Sequence, residues 1–200
     1  MKKNDSLKKL AVCAMMVALS FVLSLWTPFQ FWPQGGSVTF GAMVPVVLIS
    51  LLFGVKWGLG CAFTNAVLQM LMGLSSAMSW GLTPTVLLLC ILLDYILAYT
   101  VIGLAGCVRG NPDKPWNDGV RAAVGSVLVC LLRYGCHFLS GWALFGAFAE
   151  EGYTALGWGL FYNMTFMLPE TIITVILSVA LSSLFPVLRR NFPFCRAEGE

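Results

Sequence analysis

Two hundred residues, 58% of them hydrophobic and only 10% charged, with a mean hydropathy of +0.84 and a net charge of +3, lie far from the balance of a soluble globular domain. Such a chain belongs in a lipid bilayer, and its length accommodates about six spanning helices of roughly 20 residues with short loops. That leaves no room for a soluble ATPase module, and no P-loop motif occurs. The small positive charge points to no nucleic-acid partner, because the basic residues border the apolar runs.

Lys2, Lys3, Lys8 and Lys9 precede an apolar run that is longer than a secretory signal core and has no clear cleavage site before Pro28, so 7–27 is expected to be a retained first span. Within it, Ala14-Met15-Met16-Val17-Ala18 sets two small residues four apart, a spacing that lets another helix approach closely in lipid. The second segment, 40–54, is short and carries Pro45 early, which predicts a tilted or irregular span packed against protein. The third and fourth spans, 57–74 and 82–107, hold Asn65 and Gln69, and then Asp94-Tyr95. The fifth, 119–146, contains Arg133, the only histidine, His137, and Gly141 at i, i+4 and i+8, so cation, imidazole and bare backbone share one helix face. The sixth, 155–187, carries Asn163 and Glu170, and Pro169 predicts a kink in it. The expected architecture is an all-α integral membrane protein of six transmembrane helices, with residues 1–200 forming one membrane domain.

Eleven of the twelve basic residues fall on one side of such a bundle: the four N-terminal lysines, Lys56, Arg109, Lys114, Arg121, Arg189, Arg190 and Arg196. The positive-inside rule then puts both termini in the cytoplasm. The loops on the other side carry no Lys or Arg, and one holds Glu150 and Glu151. Seven cysteines form no CxxC pair and mostly lie in apolar runs, so they read as small packing residues rather than a disulfide framework or a metal site. No internal repeat is visible, so the inverted repeats of many secondary transporters find no support.

The twelfth basic residue, Arg133, sits inside a span. A charge near the bilayer centre costs at least about 2.5 kcal/mol on insertion scales, so it needs a partner, a wet cavity or a ligand. Asp94 would either pair with Arg133 or await a cationic ligand. Trp142, Phe145, Phe148, Tyr153, Trp158, Phe161 and Tyr162 crowd the outer ends of the last two spans. They fit an interfacial belt or a box of ring faces for a flat cation, with Trp158 and Tyr162 best placed for the box.

The order of these motifs resembles the thiamine-specific substrate-binding (S) components of energy-coupling factor transporters over nearly the whole chain. The likeness is carried by Ala14 and Ala18, Pro33-Gln34-Gly35-Gly36-Ser37-Val38, Leu93-Asp94-Tyr95, Arg133-Tyr134 with His137-Phe138 and Gly141, and Tyr162-Asn163 through Met167-Leu168-Pro169-Glu170. It implies a six-helix protein of a bacterial plasma membrane that captures thiamine near the outer face and needs no further cofactor. It also implies a transmembrane coupling protein and two cytoplasmic ATPases as partners. The family's vitamin pocket carries over to Asp94, Tyr95, Arg133, His137, Gly141 and Asn163. Phe145, Trp158 and the loop residue Gly36 join them as expected binding residues, and Glu170, seven residues beyond Asn163, either faces the same pocket or only anchors span 6. Ala14 and Ala18 correspond to the docking surface for the coupling protein. Some members have Glu at Asp94, Lys at Arg133, Trp at Phe145 and Tyr at Trp158, exchanges that keep charge or ring face but alter reach and hydrogen bonding.

On this likeness Asp94 balances the cation. Arg133, Tyr95 and Asn163 read ring nitrogens or the hydroxyl, and His137, Phe145 and Trp158 stack. The rivals are an S-component for another flat vitamin or precursor, a membrane-embedded enzyme using His137 and Asp94 as acid and base, and a structural membrane protein. No HExxH or GxSxG motif supports the enzyme.

Overall fold

The computed structural model describes residues 3–32, 35–109 and 118–195. Among the described residues five helices are long and apolar enough to cross a membrane: α1 (Lys3–Ser24), α3 (Val55–Ser79), α4 (Pro84–Val108), α5 (Asp118–Ala143) and α6 (Ala155–Ser182). Between the first two lies α2 (Val44–Phe53), whose ten residues are all buried. Its Pro45 occupies the first turn, where a missing N–H costs no helical bond. A short α7 (Phe185–Asn191) follows α6.

Helix α2 is the core of the bundle. Val46, Val47, Ile49 and Leu51 are enclosed with Ile102 of α4 and Val129 of α5, whereas leucines such as Leu88, Leu131 and Leu168 point outward from the long helices. Such an arrangement suits lipid, where an outward apolar face needs no cover.

Two features depart from a plain six-helix bundle. The segment after α1 forms an antiparallel hairpin, β1 (Phe29–Trp32) and β2 (Gly35–Val38), with Phe29 opposite Val38 and Trp32 opposite Gly35. Among the described residues this small sheet is an addition to the expected helical membrane fold. Gly35 and Gly36 open β2 with φ of +126° and +75°, a backbone conformation that L side chains resist and glycine allows. The neighbouring Pro33 and Gln34, named in the sequence motif, lie outside the described residues, as do Lys2, Lys114, Arg196 and most of the 109–118 loop. The hairpin is tied to α6 by Trp32 Nε1 donating to Thr165 Oγ1 at 3.0 Å and Tyr162 Oη donating to the Gly35 carbonyl at 2.9 Å.

Helix α4 is not uniform. It starts at an N-cap, Thr83, passes through a π-helical stretch at Ile91–Leu97 and ends as a 3-10 helix over Val101–Val108. Helix α6, by contrast, runs unbroken from Ala155 to Ser182 with Pro169 inside it, so the chain does not end a helix at that proline.

Among the described residues, Lys9, Arg109, Arg121 and Arg189 gather at one end of the bundle. There Arg189 makes a two-pronged contact with Asp118 at 2.8 and 3.2 Å, pinning α7 to the start of α5, and Lys9 lies over the Phe53 ring. The hairpin marks the opposite end.

Candidate functional site

A cavity of about 520 Å³ occupies the hairpin half of the bundle, and all ten expected binding residues line it: Gly36, Asp94, Tyr95, Arg133, His137, Gly141, Phe145, Trp158, Asn163 and Glu170. Elements from every part of the chain contribute, because the short α2 leaves the hairpin-side ends of α3, α4, α5 and α6 around an unfilled space.

The polar centre is a relay. Asp94 is presented by the π-helical stretch of α4, a local widening of the kind often found at functional sites. Its Oδ1 lies 2.8 Å from His137 Nδ1, while Oδ2 accepts from the Ser140 hydroxyl and, at 3.5 Å, from the Cys90 thiol. Arg133 Nε donates to His137 Nε2 at 3.3 Å. An arginine can only donate, so His137 accepts at Nε2 and carries its hydrogen on Nδ1, toward the carboxylate. The Arg133 guanidinium sits 4.3 Å from the centre of the Tyr99 ring, a cation–π seat within the membrane. The direct Asp94–Arg133 pair weighed from sequence is replaced by this arrangement, with the imidazole standing between them.

Asn163 is fixed by its amide group. Its Nδ2 donates to the His137 carbonyl at 3.1 Å and to the Gly159 carbonyl at 2.7 Å. Both hydrogens are thereby spent, and only its carbonyl oxygen remains to meet a ligand, as an acceptor. Ring nitrogens, which need a donor, are therefore outside its reach. Gly141 belongs to the same joint: a Cβ there would stand 2.9 Å from Asn163 Nδ2 and 3.4 Å from Gly159 Cα. The bare backbone that a ligand could approach is equally the crossing point of α5 and α6.

Glu170, 3% exposed, accepts from the Thr39 backbone N–H at 2.7 Å and from the Thr39 hydroxyl at 2.6 Å. It anchors the segment after β2 to α6. Gly36 lies in that region under Phe166, whose ring a Cβ would meet at 2.6 Å.

Along α6, Trp158, Tyr162 and Phe166 recur every four residues, ahead of Glu170. They continue a row of rings: Tyr153 to Trp158 at 5.3 Å, Trp158 to Tyr162 at 5.9 Å, Tyr162 to Phe166 at 6.0 Å and Phe166 to His137 at 5.7 Å. Trp32 of the hairpin lies edge-on to Trp158 at 5.2 Å. Phe145 stands apart, edge-on to Trp80 at 5.7 Å. Tyr95 leans on α3, its hydroxyl 3.5 Å from the Gly73 carbonyl.

Ser140, Tyr99, Phe166 and Trp32 were not singled out from sequence. Ser140 had a signal, since it lies three residues after His137 on the same helix face. Tyr99 had none, because the π-helical stretch changes which residues of α4 face α5. Among the described residues no group of three or more His, Cys, Asp or Glu could hold a metal ion. With both imidazole nitrogens engaged and Ser140 bonded to Asp94 rather than to His137, the acid–base enzyme loses the free base it requires.

Comparison with known proteins gives consistent matches. The family model described as "Thiamine transporter protein (Thia_YuaJ)" matches residues 10–189. "Thiamine transporter ThiT" of Bacillus subtilis (strain 168) is 33% identical over 198 residues, which cover 96% of this chain and 98% of that protein. A protein of the same description from Lacticaseibacillus paracasei is 29% identical over 105 residues, covering 48% of this chain and 51% of that one. A solved structure of ThiT from Listeria monocytogenes superposes with a TM-score of 0.64 at 20% identity, covering 96% of this chain and 99% of that one, a likeness of fold.

Proposed function

Because this chain belongs to the thiamine transporter family, as the match over residues 10–189 and the 33% identity establish, we propose that its cavity is the thiamine site of a vitamin importer. The protein is a multi-pass membrane subunit that binds and delivers its substrate and performs no chemistry on it. The observation that carries the assignment is the Asp94–His137–Arg133 relay beside a row of ring faces, in a cavity within the range of about 300 to 1,000 Å³ usual for small organic ligands.

Thiamine joins a permanently cationic thiazolium to an aminopyrimidine and a hydroxyethyl tail. The Asp94 carboxylate supplies the balancing charge. His137 offers its ring face to the thiazolium, since both its nitrogens are engaged within the protein. Trp158 and Phe145 offer further ring faces, each worth about 0.5 to 2 kcal/mol against a cation. The carbonyl of Asn163 accepts from the pyrimidine amine or the hydroxyl. The terminal nitrogens of Arg133 are the donors available to ring nitrogens, while Tyr95, whose hydroxyl is directed at the Gly73 carbonyl, offers its ring. Glu170 and Gly36 set the position of the segment that closes this side of the cavity.

The hairpin end faces outward and the basic end, with both termini, faces the cytoplasm of a bacterial cell. Release into the cell depends on a transmembrane coupling protein and two ATPase subunits. Ala14 and Ala18 lie exposed on α1, opposite the buried Cys13, Val17 and Ser20, and form the docking face for the coupling protein.

The test is a titration of the purified protein followed by tryptophan fluorescence. Trp158, Trp32 and Trp80 border the cavity region, so thiamine quenches saturably while riboflavin and biotin do not. Absence of a thiamine response at micromolar concentration rejects the assignment, and a response to another flat vitamin alone transfers the site to that compound.

A further inference from the structure

The mouth of the cavity carries charge of one sign. Glu150 lines the cavity, between Phe148 and Tyr153. Its backbone is held by Tyr153 N–H donating to the Glu150 carbonyl at 3.1 Å and, just before it, by the 3-10 turn Gly146–Phe148. No Lys or Arg occurs between Lys9 and Lys56, between Lys56 and Arg109, or between Arg133 and Arg189, so no loop at the hairpin end has a cation to offset it. The nearest basic side chain along the route inward is Arg133, and it is reached only beyond Asp94 and His137. Glu150 is exposed while Asp94 is partly buried in the cavity that both line with Trp158, so a ligand entering from this end passes the Glu150 carboxylate on its way to that of Asp94.

We propose that Glu150 is a positioning residue for capture: it raises the local concentration of the cationic vitamin at the mouth and sets the association rate, without contributing to the bound state. The proposal rests on the thiamine reading, because only a cation gains from this field. A single charge at the rim of a cleft acts through water. Its effect is about twofold to threefold in rate and fades as salt shortens the screening length below about 10 Å.

Stopped-flow tryptophan fluorescence with thiamine tests this, using protein in nanodiscs of uncharged lipid at about 20 mM and about 500 mM salt. The wild-type association rate is expected to fall with salt. Glu150→Gln slows association at low salt by about twofold to threefold, Glu150→Lys slows it further, and Glu150→Asp keeps the wild-type rate and salt slope, while all converge at high salt. Dissociation stays within about twofold of wild type throughout. An unchanged association rate in Glu150→Gln at low salt overturns the proposal, as does a change confined to dissociation, which makes Glu150 a contact of the bound vitamin instead. Failure of the thiamine reading looks different: the wild-type protein then shows no saturable thiamine signal at any salt.

Discussion

His137 Nδ1 lies 2.8 Å from Asp94 Oδ1, so the one imidazole of the chain is oriented by a carboxylate from another helix, and α4 and α5 are joined at the middle of the bundle. Charge-assisted bonds of this kind contribute about 1.5 to 3 kcal/mol each. Asp94→Asn removes the charge that balances a cation, and His137→Ala removes both the ring face and the link to Arg133. Each is expected to weaken thiamine binding by about 10- to 100-fold in isothermal titration. Wild-type affinity in both variants excludes the relay from the site.

Arg133→Lys keeps the charge but loses the Nε donor to His137 and the planar group over Tyr99. The expected outcome is a loss of affinity of about tenfold with the fold intact, checked by titration alongside a thermal melt. Tyr99→Leu, which unseats the guanidinium without altering charge, is expected to give a smaller loss in the same direction.

At the crossing of α5 and α6, Gly141→Ala sets a methyl 2.9 Å from Asn163 Nδ2, and Gly159→Ala sets one 3.1 Å from the Trp142 backbone nitrogen. Overpacking of this kind costs about 1 to 3 kcal/mol. Both variants are expected to melt several degrees below wild type. Gly141→Ala is also expected to lose affinity, because it displaces Asn163. Unchanged melting would place the helices farther apart than described.

Thr39→Val removes the hydroxyl that donates to Glu170 and leaves a buried carboxylate with one fewer partner. Hydrogen exchange is expected to accelerate over residues 35–43 while α5 stays protected. Uniform acceleration across the bundle would instead mark Glu170 as a support of the whole fold.

Ala14→Leu combined with Ala18→Leu enlarges an exposed face of α1 without touching the cavity. Thiamine affinity is expected to remain within about twofold of wild type, while uptake by cells carrying the complete transporter is lost. Normal uptake would remove α1 from the docking surface.

Much of the site could be read from the residues because polar groups are conspicuous in apolar helices. Arg133, His137 and Gly141 share a face by ordinary helical spacing, and Asp94 and Glu170 had few other reasons to be where they are. What resisted sequence reading were the places where regular spacing fails. The hairpin has strands of only four residues, too short for alternation to stand out. The π-helical stretch of α4 alters the facing of its residues, so Tyr99 came to seat Arg133 while His137, not Arg133, met Asp94. Asn163 lines the cavity, but the capture of its amide by two backbone carbonyls depends on how closely α5 and α6 cross, which no spacing reveals.

The ten residues of α2 rise only about 15 Å, half the thickness of the hydrocarbon layer, and at Gly54, with φ of +86°, the chain turns directly into α3. In packing terms the cavity takes the place of the missing half of the second helix. Room for a ligand comes from this short span together with small residues on the neighbouring elements, among them Gly36, Gly73 and Gly141, while the helices pack against one another at the other end. Binding capacity and helix length are therefore exchangeable quantities in this fold: extending α2 by about three turns ahead of Val44 would fill the chamber and convert a receptor into an ordinary, closed six-helix bundle.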